Sequence, residues 1–209
     1  MKYPGAADFL PAERTIAALR GAAAHCRGCD LYAPATQTVF GAGTDTPTLM
    51  FVGEQPGDAE DVQGAPFVGP AGRVLSEAIA DAGLGAVPSY VTNAVKHFSF
   101  TRAGKRRLHQ TPKVGEMNAC RPWLIAEYAV VSPQLVVCLG ATAVKSVLGN
   151  DVKVLRDRGA ILERDSLLGP GTFLVTVHPS SILRAADEAR AEARAAFVAD
   201  LKVAANFLG

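Results

Sequence analysis

The stretch TLMFVGEQPGD, residues 48–58, decides the fold. Its first half is a short apolar run that predicts a strand buried on both faces. Glycine and proline then force a tight turn, and this turn carries the polar side chains of Glu54, Gln55 and Asp58. A buried strand that ends in a polar turn is typical of a parallel sheet whose ligands bind at the carboxyl ends of its strands.

The same arrangement recurs along the chain. Further strands are predicted at 90–92, 135–139 and 173–177, and helices are predicted at 11–24, 73–82, 114–131, 141–148 and 187–207. Strands that alternate with helices form a mainly parallel sheet that is covered on both faces. We therefore predict a three-layer α/β fold, with a small central parallel sheet flanked by helices, in a single domain over residues 1–209. Segment 97–113 is predicted to be a functional loop.

Composition favours a globular protein without a membrane segment. Hydrophobic residues make up 49% of the chain, but no apolar run is long enough to span a bilayer. The N-terminus, MKYPGAADFL, lacks the basic region and apolar core of a secretory signal. We expect a cytoplasmic protein that makes no contact with a membrane.

Positive charge is concentrated in one segment, although the net charge is only +1. Residues 96–113 contain Lys105, Arg106, Arg107 and further Lys and Arg residues, with no Asp or Glu. Such a basic stretch on a near-neutral protein indicates a local contact with an anion, and its ordinary explanation is a solvated loop.

Four cysteines are present: Cys26, Cys29, Cys120 and Cys138. A disulfide framework is not expected in a cytoplasmic chain. Cys26 and Cys29 form a CxxC pair, which suits a metal or cluster as well as redox chemistry.

Chemically useful side chains also follow the other predicted structural elements. Phe67, on the Gly/Pro turn PFVGPAG, offers a flat face to a planar ring. Asn93 ends the second strand, and its amide both donates and accepts hydrogen bonds. His178 opens HPSSILR and can donate to an oxygen that gains negative charge. Each has an ordinary alternative as a core aromatic, a turn residue or a helix cap.

Together these motifs resemble the uracil-DNA glycosylase superfamily. The resemblance rests on GEQPGDAED (53–61), PFVGPAG (66–72), TNAVK (92–96) and HPSS (178–181), in this order, and extends over about residues 26–207. It implies an enzyme that excises uracil from DNA, with a small parallel sheet flanked by helices, in agreement with the pattern of strands and helices. Such enzymes flip the target nucleotide out of the base stack.

The resemblance implies a role for each of these residues. Flipped uracil stacks on Phe67 and pairs with Asn93, while His178 and backbone groups near Gln55 stabilise the departing uracil anion. Glu54 or Asp58 offers negative charge to the cationic sugar. Leu183 and Arg184 fill the gap that the flipped base leaves.

A fifth motif, GKRRLH (104–109), resembles the basic loop of the UdgX class. In that class the loop histidine, here His109, attacks the sugar after uracil has left, and the protein stays bonded to the abasic site. The resemblance implies that Lys105, Arg106 and Arg107 contact DNA, with single-stranded DNA favoured, and that the protein is a monomer. The alternatives are a turnover glycosylase that uses water and an iron–sulfur module that binds DNA without cutting a bond.

The cysteines resemble those of the iron–sulfur members of the superfamily. Cys26, Cys29 and Cys120 match three ligands of a [4Fe–4S] cluster, but His97 stands where the simple members have the fourth cysteine. Imidazole can ligate iron in such clusters. We therefore expect His97 to be the fourth ligand, with Cys138 as the rival in an apolar strand.

Overall fold

A six-stranded sheet organises the computed structural model, which describes residues 3–209. Its strands lie in the order β1 (Ala42–Gly43), β3 (Ser89–Asn93), β2 (Leu49–Gly53), β6 (Leu135–Leu139), β8 (Gly169–Thr176) and β7 (Ile161–Ser166). The four inner strands are parallel, and the edge strands β1 and β7 run antiparallel to their neighbours. The predicted α/β fold is confirmed, with a sheet that is mostly rather than wholly parallel.

Helices cover both faces of this sheet. The helices α4 (Val114–Val131) and α5 (Ala141–Val147) pack on one face, and α3 (Pro70–Asp81) and α8 (Asp187–Leu208) pack on the other. Successive strand side chains point to opposite faces, so Met50 of β2 joins the first core and Phe51 joins the second. Burial on both faces explains why β2 and β6 are apolar throughout.

The remaining helices are α1 (Ile16–Ala23), α2 (Asp58–Gln63), α6 (Val154–Asp157) and α7 (Ser180–Leu183). Helix α1 begins later than the predicted helix at 11–24, because Thr15 caps it: its Oγ1 accepts a hydrogen bond from the N–H of Ala18 at 3.2 Å. None of the helices within residues 3–209 combines the length and apolar character needed to cross a membrane.

The predicted loop at 97–113 is wrong in its centre, where the chain forms a β-hairpin. Strand β4 (Phe100–Ala103) pairs with β5 (Arg106–His109) in a second, two-stranded sheet. Gly104 opens the two-residue turn with a φ of 60°, a conformation that glycine adopts without strain. The register places Phe100 opposite His109, so His109 lies at the base of the hairpin rather than at its tip.

Candidate active site

A cavity of about 950 Å³ opens at the carboxyl ends of the parallel strands. This is where a mostly parallel α/β sheet binds its ligands. The cavity is lined by every residue that the sequence suggested for catalysis or base binding: Glu54, Gln55, Asp58, Phe67, Asn93, His109, His178, Leu183 and Arg184.

The floor of the cavity depends on the absence of a side chain at Gly53. A Cβ atom there would lie 2.4 Å from Oδ1 of Asn93 and 2.6 Å from Cζ of Phe67. Gly53 of β2 and Asn93 of β3 are register partners, so the strand ends bring the amide and the ring together. Asn93 is only 3% exposed, and its amide makes no hydrogen bond within residues 3–209. The amide is therefore free to pair with a ligand.

Phe67 is held in a strained backbone conformation beside this amide. Its φ is 56°, in the left-handed region that bulky residues rarely adopt. The start of α3 packs so closely below that a Cβ atom at Gly72 would lie 1.7 Å from the carbonyl oxygen of Phe67. The Phe67 and His178 rings lie 6.2 Å apart with an interplanar angle of 29°. Strain of this kind is typical of functional positions, and it fixes the ring at the cavity wall.

His178 is oriented by its own motif. The N–H of Ser180 donates to Nδ1 of His178 at 3.2 Å, and the Ser180 hydroxyl lies 2.8 Å from the same nitrogen. Arg184 in turn donates to that hydroxyl at 2.9 Å. Because Nδ1 accepts, the neutral ring carries its proton on Nε2. Burial, with the positive charges of Arg184 and His109, lowers the pKa of His178 to about 4, although Glu54 opposes this shift.

His109 and Glu54 meet across the cavity. Nε2 of His109 lies 3.2 Å from Oε1 of Glu54, and the Thr142 hydroxyl donates to the other carboxylate oxygen at 2.5 Å. Burial alone would raise the pKa of Glu54, but the hydrogen bonds from His109 and Thr142 bring it below its usual value. The carboxylate is therefore ionised and holds the exposed imidazole at the cavity.

The side chain of Gln55 is fully engaged within the protein. Its amide nitrogen donates to the carbonyl oxygens of Ser99, at 3.2 Å, and Gln110, at 2.9 Å, and its amide oxygen accepts from the N–H of Ser99 at 2.9 Å. Both polar ends of the side chain are thus used at the base of the hairpin. Gln55 lines the cavity, and its side chain fixes the hairpin that carries His109.

Arg107, one of the three cations predicted to contact DNA, points towards protein carboxylates. Its guanidinium donates to Asp58 and Asp61, at 2.5 Å in each case, and its side chain is only 13% exposed. The guanidinium is thus engaged in an internal ion pair, which disfavours a contact with phosphate. The same pair occupies an oxygen of Asp58, which favours Glu54 as the carboxylate beside the reacting sugar. Lys105 and Arg106 remain exposed on the hairpin.

A family profile described as the uracil DNA glycosylase superfamily matches residues 40–202. The chain belongs to the uracil-DNA glycosylase superfamily. Members named type-4 uracil-DNA glycosylase are similar over most of their length. The protein of Thermotoga maritima is 34% identical over 184 residues, which cover 88% of this chain and 89% of the relative. That of Archaeoglobus fulgidus is 32% identical over 162 residues, covering 76% and 78%. That of Pyrobaculum aerophilum is 33% identical over 164 residues, covering 77% and 80%.

A second, smaller cavity in this superfamily fold gathers the predicted cluster ligands. Cys26, Cys29, His97 and Cys120 all line it, and the three thiols are buried and free of disulfides. Cys138 lies elsewhere, inside β6 and in the core beneath α4 and α5. Within residues 3–209 no three such side chains surround a single ion site. A cluster takes one protein ligand on each of its irons, so its ligands line a cavity rather than converge on a point. The donor set fits a cluster.

Two residues that the sequence analysis did not single out support the superfamily site. Thr142 bonds Glu54, and Ser180 bonds His178. A signal for Thr142 was present, because it follows the Gly140 turn at the carboxyl end of β6, the same sheet edge as Glu54. Ser180 lies inside the HPSS motif itself, where only the histidine had been assigned a role.

Proposed function

We propose that this chain excises uracil from DNA and then becomes covalently bonded, through His109, to the abasic site it has made. The observation that carries the proposal is the pairing of His109 with Glu54 at the cavity that also contains Asn93 and His178. A nucleophile and its proton acceptor stand there beside groups suited to hold a pyrimidine.

Uracil recognition follows from the free amide of Asn93. The amide donates to O4 of uracil and accepts from N3–H, whereas cytosine presents a donor and an acceptor in the reverse places. Cytosine would leave both ends of a buried amide unpaired, and this mismatch disfavours it. The ring of Phe67, fixed at the wall, offers the stacking face for the flipped base.

Breakage of the glycosidic bond places negative charge on the departing uracil and positive charge on the sugar. His178, neutral and protonated on Nε2, donates to the uracil oxygen that gains charge. The relay from Arg184 through Ser180 keeps the proton on that nitrogen. Glu54 supplies the negative charge nearest the sugar cation, because Asp58 is engaged by Arg107.

Capture requires an unprotonated nitrogen on His109. Starting from a ring protonated on both nitrogens and paired with the Glu54 carboxylate, transfer of the Nε2 proton to Glu54 leaves a neutral imidazole with its proton on Nδ1 and a lone pair on Nε2. That lone pair forms the bond to C1′, and the positive charge on the ring is relieved by loss of the Nδ1 proton to solvent. The hairpin, held by Gln55 and Arg107, keeps the imidazole in reach before water arrives.

We further propose a [4Fe–4S] cluster held by Cys26, Cys29, His97 and Cys120. When bound, it supplies a structural link between distant segments of the chain, since thiolates and an imidazole from three regions would share one cofactor. The ligands come from the CxxC loop, the end of β3 and helix α4, which also support Asn93 and the hairpin.

DNA contact is assigned to the exposed cations near the cavity. Lys105 and Arg106 on the hairpin, with Arg184 beside the cavity, are placed to meet phosphates, and single-stranded DNA is the favoured substrate because its bases need no unpairing. We propose that the protein acts as a monomer, in the cytoplasm on the nucleoid.

A denaturing gel separates this function from its rivals. The protein is mixed with labelled single-stranded DNA that contains one uracil, and then heated in denaturant. A heat-stable shifted band supports covalent capture. An alkali-labile site without the shift supports a turnover glycosylase that uses water. Unchanged DNA that is nevertheless bound in a native gel supports a binding module. DNA with thymine in place of uracil is the control.

A further inference from the structure

Trp123 has an unpaired hydrogen-bond donor at the cavity of the cysteines. It is the only tryptophan of the chain, it lies on α4, and it is fully buried. The residue lines the same cavity as the three thiols and His97. Within residues 3–209, its indole N–H has no hydrogen-bond partner. Buried N–H groups are almost always paired, so an unpaired one calls for an acceptor that belongs at this place.

The protein neighbours of Trp123 do not provide that acceptor. Phe40 meets the indole edge to face, with ring centroids 6.0 Å apart and an interplanar angle of 88°. Nε2 of His97 is already engaged with the Thr38 hydroxyl at 2.8 Å. The N–H of Lys96 donates to the sulfur of Cys120 at 3.3 Å. The polar groups near Trp123 are thus hydrogen-bond donors or are already paired. The sulfur atoms of a cluster bound in this cavity would be the available acceptors.

We propose that Trp123 donates its indole N–H to a sulfur of the [4Fe–4S] cluster, either a sulfide or a cysteine thiolate, and thereby raises the reduction potential of the cluster. This inference rests on the proposed cofactor. Hydrogen bonds to sulfur stabilise the more negative, reduced cluster, which is why they are among the determinants of its potential. The indole N–H would add to the hydrogen bond that the N–H of Lys96 already donates to the sulfur of Cys120.

The test compares wild-type holoprotein with Trp123→Phe, which keeps the buried ring and removes only the donor. Each is titrated anaerobically with dithionite, which supplies one electron per cluster, and iron content is measured in parallel. We expect a lower potential in the variant at unchanged iron content. The matched control is Phe40→Leu, which alters the aromatic packing but leaves the indole N–H in place, and its potential should stay at the wild-type value.

Equal potentials in wild type and Trp123→Phe, with iron retained, would overturn the role of Trp123 alone. Iron-free wild-type protein would instead overturn the cofactor. If Trp123→Phe fails to assemble a cluster, NMR of the wild-type protein tests the bond instead. The chain has a single tryptophan and therefore gives a single indole ¹⁵N–¹H signal. A hyperfine shift at that nitrogen in wild-type holoprotein, absent from the iron-free form, supports the bond, and an unshifted signal contradicts it.

Leu155, on α6, is a separate feature at the other cavity. It is 84% exposed, yet it lines the large cavity together with Leu183, which is 41% exposed. Bonds within helix α6 fix its conformation, because the N–H of Lys153 donates to Asp157 at 2.7 Å and Arg156 bonds both oxygens of the same carboxylate at 2.8 Å. Val154, next to Leu155, packs against the core and holds the helix in place. A rigid element therefore presents an apolar side chain to solvent beside the site, at a cost in free energy that a partner would remove.

We infer that Leu155 packs against the base of the nucleotide that adjoins the flipped uridine in single-stranded DNA. That base loses its stacking partner when uracil enters the cavity, and exposed apolar side chains are what DNA-bending and base-flipping proteins place against such faces. The exposed cation of Lys153, two residues earlier, suits the phosphate of the same nucleotide. This contact also rests on the proposed function.

A double-mutant cycle between protein and DNA tests the contact. Single-turnover uracil release is measured for wild type and Leu155→Ala, on DNA whose 5′ or 3′ neighbour of uridine is a normal base or an abasic analogue. Removing that neighbour should slow wild type by about fivefold, as should Leu155→Ala, and the two changes together should slow release no further. The control is Ile125→Ala, a half-exposed apolar residue on α4 that should behave as wild type. If the two reductions in rate multiply fully for the 5′ neighbour and also for the 3′ neighbour, the contact is overturned. If the wild-type protein releases no uracil, the proposed function is overturned.

Discussion

Nε2 of His109 lies 3.2 Å from Oε1 of Glu54, although the two residues come from different sheets. Glu54 follows β2, an inner strand, at the carboxyl end of the large sheet, and His109 ends β5 of the hairpin. The contact exists because Gln55, next to Glu54 in the chain, bonds both sides of the base of that hairpin. Gln55 therefore fixes the hairpin, and Glu54, its neighbour in the chain, orients the histidine that the hairpin carries.

Glu54→Gln should slow excision, because it removes the negative charge beside the sugar cation, but it should slow capture more. Glutamine keeps the shape of the side chain and can still contact His109, but it accepts no proton. We expect crosslinking to slow on the order of 10²-fold, and a larger share of the excised sites to remain as free abasic DNA. A time course of crosslinked and alkali-cleaved DNA gives both quantities. Glu188→Gln, on the exposed start of α8, is the control, and an unchanged share of crosslinks in Glu54→Gln would rule out this role.

The pH dependence of uracil release should report the lowered pKa of His178. An ordinary histidine gains its proton as the pH falls through 6.5, whereas His178 does so only near 4. The neutral ring and its Nε2–H donor therefore persist in acid, as does the ionised Glu54. Release of uracil, rather than crosslinking, should stay nearly constant between about pH 7 and 5 and fall towards pH 4. Half-loss near pH 6.5 that disappears in His178→Gln would contradict the assignment.

Iron content separates the two candidates for the fourth cluster ligand. His97→Ala should lose or destabilise the cluster, because His97 lines the cavity of the thiols. His97→Cys should retain it by restoring a thiolate at this place. Cys138→Ala, in the core of β6, should keep about four irons per chain. The assignment would be reversed if Cys138→Ala lost its iron and colour while His97→Ala stayed brown and loaded with iron.

The salt dependence of DNA binding should distinguish two neighbouring arginines. Arg106→Ala should weaken binding and reduce the slope of log affinity against log salt by about 1, the expected effect of losing one phosphate contact. Arg107→Ala should leave the slope unchanged, because its guanidinium is bonded to Asp58 and Asp61. It should instead lower the free energy of unfolding by about 1–3 kcal/mol, since Asp61 is fully buried. Equal changes in slope would show that both arginines contact DNA.

Much of the sheet was predictable because its central strands are buried on both faces. The apolar runs at β2 and β6 show their burial directly in composition. The edge strand β7, with residues such as Glu163 and Arg164, has no such apolar run, because it is largely exposed. Its place follows from pairing with β8, which no local pattern reveals.

The candidate site, like the sheet, was predictable only in part. Strand ends and motif order predicted which side chains gather at the cavity, since parallel strands end on one edge. They did not predict which polar atoms are already engaged within the protein. Arg107 read as a free cation because its partner Asp61 lies 46 residues away. The hairpin was missed because neither of its strands is an apolar run and three of their eight residues are arginines, although a glycine turn separates two short runs of equal length.

The most direct test of the account is the mass and position of the covalent bond. Wild-type protein is reacted with single-stranded DNA containing one uracil, and the product is analysed intact and after digestion. The predicted mass is that of protein plus DNA minus one uracil, and the sugar should be found on the peptide that contains His109. His109→Ser should form no adduct but still release uracil. An adduct that persists in His109→Ser, or a bond to another residue in the wild-type protein, would contradict the central claim.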